Sequence, residues 1–220
     1  MPPPPPGPEP QWPIPTFNVR IEDLAHPGVK IFLGNIRVDE ALRHAVTTVC
    51  RLLYTEQTVP KNVQLITLVL RPMPGVAHTF GSPTTKEIHF SLDHIRNCES
   101  RAKDEILGVL VHEMVHCYQY DGQGKTPGGL VEGIADWVRL NAGYVPPHWK
   151  KEGDGDWDGG YQKTAYFLDW IEGRYGDGSI QELNESMKDL EYNEHVFKDV
   201  TGRKVSKLWK LYKEHLEANP

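Results

Sequence analysis

The chain has 220 residues, 39% of them hydrophobic, which is enough for one domain with a sizeable core. Its formal net charge of −6 argues against general nucleic-acid binding, which calls for clustered Lys and Arg. No run approaches the roughly 20 apolar residues of a membrane span, and three cysteines are too few for a disulfide framework.

Half of the 18 prolines lie within residues 1–15, so a disordered Pro-rich tail is expected there. A weaker reading makes it a ligand for a polyproline-reading domain. The start lacks the basic and apolar segments of a signal peptide. Cys50 and Cys117 lie in apolar helical stripes and read as buried thiols, which suits a reducing compartment. The expectation is cytoplasmic, with unconventional export as the alternative, and monomeric.

Residues 16–220 read as a single α+β domain. Phe17–Ile21 suggests a strand. Val38, Ala41, Leu42, Ala45, Val46, Val49, Cys50 and Leu53 match the i, i+3, i+4 template of a long amphipathic helix. Val63–Leu70 reads as an apolar strand, and the region 75–91 adds two short ones. Of these, Glu87–Ser91 is the expected edge to which an extended peptide adds, with His89 a surface residue. This predicts a layer of helix on mixed sheet. Helices follow at 130–142, 160–173, 179–190 and 203–216, so the second half is helical.

Between the halves stands His112-Glu113-Met114-Val115-His116. On a helix, positions i and i+4 lie about 40° apart around the axis, so both imidazoles leave one face. Neutral imidazole is a good zinc ligand, and Glu113 stands where it takes a proton from a water on the metal. Asp104 and Glu105 open the helix, Ile106, Val109, Leu110, Met114 and Cys117 bury it, and Asp121-Gly122 with Gly124 end it.

A second apolar helix carries Glu132 and Asp136, four residues apart, whose like charges repel unless a cation lies between them. Glu132 is the expected third metal ligand. Asp136 is expected to accept the other N–H of a ligand histidine and fix its tautomer. Two imidazoles and one carboxylate leave the fourth position open, as a catalytic zinc site requires.

The set His112, His116 and Glu132 with Glu113 and Asp136 resembles the gluzincins, zinc peptidases in which a later helix supplies the third ligand. Longer blocks resemble the plant and fungal basic secretory protein family across roughly residues 16 to 214. They are His112 to Tyr120, Thr126 to Arg139, Trp157-Asp158-Gly159-Gly160-Tyr161, Gly75-Val76-Ala77 and Lys86 to Ser91. The resemblance implies a zincin-like fold and peptidase activity, with a peptide or protein as substrate.

Tyr161-Gln162-Lys163-Thr164-Ala165 resembles the Tyr-x-Lys-Gly-Ala segment of gluzincin aminopeptidases, whose tyrosine donates to the oxyanion; Thr164 replaces the glycine. Tyr161 is therefore the first candidate for that role, and His148, on a Pro-bounded loop, the second. The glutamate that anchors a substrate amine in those enzymes has no counterpart in Gly75 to Gly81. That favours endopeptidase action.

Asp154-Gly155-Asp156-Trp157-Asp158-Gly159 copies the opening of a calcium loop, but its twelfth position is Ala165 where a bidentate glutamate is needed. Asp158 is expected instead to cap the helix carrying Tyr161. Two further functions compete with the peptidase: a zinc-stabilised binding or defence-associated protein without catalysis, and a zinc hydrolase of non-peptide esters or amides.

Overall fold

The computed structural model describes residues 11–219. The expectation of a disordered tail falls mostly on residues 1–10, outside them. Trp12 and Ile14 already pack against the core, so the packed chain starts ahead of Thr16.

The first half is helix on sheet. β1 (Thr16–Ile21) leads into α1 (Pro27–Asn35) and α2 (Val38–Leu53) before β2 (Leu65–Arg71). β3 (Ala77–Gly81) and β4 (Thr85–Ser91) follow, and the sheet order is β1-β2-β4-β3. β1, β2 and β4 run parallel and β3 is antiparallel to β4. Parallel neighbours need covered crossovers, and α1 and α2 supply the one between β1 and β2. The core-facing residues Ile66, Leu68, Leu70, Ile88 and Phe90 are fully buried. α2 buries the stripe expected of it, from Ala41 to Leu53.

Two expectations for this region are corrected. β4 is not an edge: it lies between β2 and β3, and the edges of the sheet are β1 and β3, of which β3 borders the cleft. The β4 backbone pairs with β2 on one flank and with its hairpin partner β3 on the other, whereas β3 is short and half exposed. His89 is not on the surface. It is buried beneath His78 and Phe80 and hydrogen-bonded to Glu87 at 2.9 Å.

After β4 come α3 (Leu92–Asn97), a 3₁₀ turn (Glu99–Arg101) and α4 (Ala102–Tyr118), which holds the His-Glu-x-x-His segment. α4 is buried on nearly every side, as its sequence predicts. It packs on α2, β3 and β4 in front and on α5 (Gly128–Asn141) behind. The helical half is completed by α6 (Tyr161–Tyr175), α7 (Ser179–Glu185), α8 (His195–Thr201) and α9 (Val205–Ala218). α7 stops five residues short of expectation. No sequence pattern had marked α1, α3 or α8, each nine residues or fewer. They are held by local devices: His26 Nδ1 accepts from Gly28 N at the start of α1, and Ser91 Oγ accepts from His94 N at the start of α3. Among the described residues, no helix is long and apolar enough to cross a membrane.

Candidate metal centre and its cleft

α4 and α5 cross so that three donor atoms converge. His112 Nε2 lies 3.1 Å from Glu132 Oε2 and 3.2 Å from His116 Nε2, and the third side of the triangle, His116 Nε2 to Glu132 Oε2, is 3.7 Å. The other nitrogen of each ring is already occupied. His112 Nδ1–H donates to Asp136 Oδ1 at 2.6 Å, and His116 Nδ1–H donates to Gln119 Oε1 at 2.6 Å. Gln119 is itself held by donating from Nε2 to Val131 O at 3.0 Å.

With both Nδ1 atoms protonated, each ring, when neutral, turns a lone pair inward. Two lone pairs and a carboxylate oxygen within 3.7 Å of one another repel unless a cation sits among them. Four-coordinate zinc, with bonds of about 2.0–2.2 Å, spaces its ligands by about 3.3–3.6 Å. The donor set and its spacing therefore fit such an ion. A proton answers the same demand: burial works against charge on His112, but its bonds to Asp136 and Glu132 outweigh it and raise its pKa to about 10. Burial likewise opposes ionisation of Glu132, yet the two histidines hold it well below the usual carboxylate range. This corner demands positive charge. Among the described residues, no Lys or Arg ion-pairs with Glu132 or Asp136.

A cleft of about 970 Å³ opens over the triad, lined also by Glu113, Thr79, Arg139, Trp149, His148 and Tyr161. Thr79 Oγ1 lies 2.7 Å from Glu113 Oε2. Tyr161 stacks its ring parallel to that of His112, with centroids 6.4 Å apart. The charge of Glu132, and then partial burial, raise the Tyr161 pKa, so its hydroxyl keeps its proton.

Tyr161 reaches this position through a close approach of α5 and α6. A Cβ on Gly129 would lie 1.7 Å from Asp158 O, and one on Gly133 would lie 2.3 Å from Thr164 Cγ2. Only glycines let the helices meet this closely. Tyr161 itself sits at φ 47°, left-handed for a residue with a Cβ. Asp158 does not cap α6, contrary to expectation. The N-cap is Gly160 at φ 83°, and Thr164 Oγ1 accepts from Gly160 N while donating to Trp157 O. The threonine that departs from the Tyr-x-Lys-Gly-Ala pattern thus secures the turn that presents Tyr161. The calcium-like loop is occupied by a cation of the chain: Lys163 Nζ bonds Asp154 Oδ1 at 2.9 Å.

A second cluster, His94, Cys98 and Glu105, also brings three possible ligand atoms within 4.8 Å of one another. Here the carboxylate is already compensated. Glu105 Oε2 accepts from Arg139 Nη2 at 3.0 Å and from Arg101, while Oε1 accepts from His94 at 2.9 Å. The cluster is an ion-pair network that ties α4 to α5. Sequence reading assigned no role to Arg139, Gln119 or Thr79. Gln119 was within its reach, since a residue three beyond His116 lies on the same side of a helical path. Thr79 was not, being 34 residues from Glu113.

A family model described as a peptidase of plants and bacteria matches residues 14–212. No curated protein and no solved structure matches the chain.

Proposed function

Since the chain belongs to this family of peptidases, the basic secretory protein family, we propose that it is a zinc-dependent endopeptidase of gluzincin type with a zincin-like fold. The observation that carries the reading is the convergence of His112 Nε2, His116 Nε2 and Glu132 Oε2 with both outer ring nitrogens occupied. Residues 16–220 act as one domain, because a continuous core runs from Val29 to Tyr212.

His112, His116 and Glu132 would hold the metal, which would polarise the scissile carbonyl and lower the pKa of water enough for attack at neutral pH. Asp136 and Gln119 keep the two rings in the ligating tautomer. Glu113 takes the proton of the attacking water and returns it to the leaving amine. The Tyr161 hydroxyl donates to the oxygen that gains negative charge, where a fixed donor lowers the barrier most. An extended peptide pairs its main chain with the free edge of β3, whose Ala77, His78 and Thr79 line the cleft.

The test is cleavage of internally quenched peptides blocked at both ends. Turnover should cease on chelation and return with added zinc. If the protein binds zinc yet cleaves no member of a broad peptide library, the catalytic reading gives way to the binding protein.

A further inference from the structure

We propose that Thr79 is a positioning residue that holds the Glu113 carboxylate in its productive orientation, an inference resting on the reading of Glu113 as the base. Strand alternation aims it there. Thr79 pairs with the fully buried Ile88 in the antiparallel ladder, while its neighbours His78 and Phe80 point to the opposite, exposed face. β3 packs directly on α4, so the inward side chain at this register meets the helix at Glu113.

The hydroxyl lies 2.7 Å from Glu113 Oε2 and 3.1 Å from the Glu113 carbonyl oxygen. It carries one proton, and the shorter contact to the charged oxygen takes it. Glu113 lines the cleft, and its Oε1 makes no hydrogen bond among the described residues, so Oε1 is the oxygen left to receive a proton. A glutamate on a helix has three rotatable side-chain bonds. Tying Oε2 to a strand fixes which oxygen faces the substrate and removes the rotamers that turn it away. β-branching stiffens the threonine itself, so the restraint is passed from backbone to base without slack.

Thr79→Val keeps the volume and removes the proton. On a blocked peptide that the wild type cleaves, it is expected to lower kcat about tenfold to a hundredfold with KM within about twofold. Zinc content and melting temperature should be unchanged. Thr79→Ser restores the hydroxyl and should recover most of kcat. Four results would overturn the proposal: wild-type kcat in T79V, a deficit confined to KM, a deficit matched by lost zinc or a lower melting temperature, or no recovery in T79S. Glu113→Gln measured alongside separates the two claims. If that variant is as fast as wild type, the base assignment itself fails; if it is inactive while T79V keeps the wild-type kcat, only the role of Thr79 fails.

Discussion

Glu113→Gln should lower kcat by about two to four orders of magnitude while the protein keeps its zinc. The amide has the shape of the carboxylate but cannot accept a proton, so the variant removes one chemical capacity and little else. Retention of the metal follows from the geometry. Glu113 is not among the three converging donors, and neither outer ring nitrogen bonds to it. A measured kcat, with zinc per chain determined on the same sample, checks both halves. Wild-type turnover in the variant would remove the mechanism, and loss of zinc would place Glu113 in the metal shell.

Arg139→Met is the substitution with the largest expected effect on stability. Arg139 is buried at the end of the cleft, donating from Nη2 to Glu105 Oε2 and from Nε to Tyr144 O, both at 3.0 Å, with its guanidinium over Trp149. Replacing it leaves a buried carboxylate with His94 and Arg101 alone, at a cost of about 3 kcal/mol. For a chain of this size that corresponds to about 10 °C in melting temperature.

The acid response supplies a second reading of the same network. Burial opposes ionisation of Glu105, but the bond from His94 and the charges of Arg139 and Arg101 outweigh it and hold the pKa at about 2, below the ordinary 4.5. A folded-state pKa below the unfolded one gives stability that is present above pH 4.5 and lost as pH falls toward 2. The solvent-facing side of the cluster screens part of that contribution. Without Arg139 the pKa relaxes upward, so the variant should be weaker at pH 7 and change less on acidification. Urea unfolding across that range measures both. Equal stability of the two proteins at pH 7 would show that the ion pair contributes nothing.

What could be read from residues alone divides by the range of the interactions involved. The buried helix of His112 and His116, the second helix with Glu132 and Asp136, and the stripe from Ala41 to Leu53 all announce themselves, because periodicity and spacing are local properties. The placement of Glu132 over the histidines was expected from charge: two acids on an apolar helix need a cation. Strand order was not legible. Glu87 to Ser91 reads as a short strand, as edges often are, and only pairing with β3 reveals it as interior. His89 illustrates the same limit, since its burial depends on His78 and Phe80 arriving from the neighbouring strand. Thr164 looked like a mild departure from a motif, and its purpose appears only when its hydroxyl is seen closing the Trp157–Gly160 turn.

The most direct test of the whole account is a crystal of the active protein with diffraction recorded on both sides of the zinc absorption edge. The account predicts one strong anomalous peak, within about 2.0–2.2 Å of the facing nitrogens of His112 and His116 and of a Glu132 oxygen. A protein that cleaves peptides while this position is vacant, or whose only peak lies among His94, Cys98 and Glu105, would contradict it.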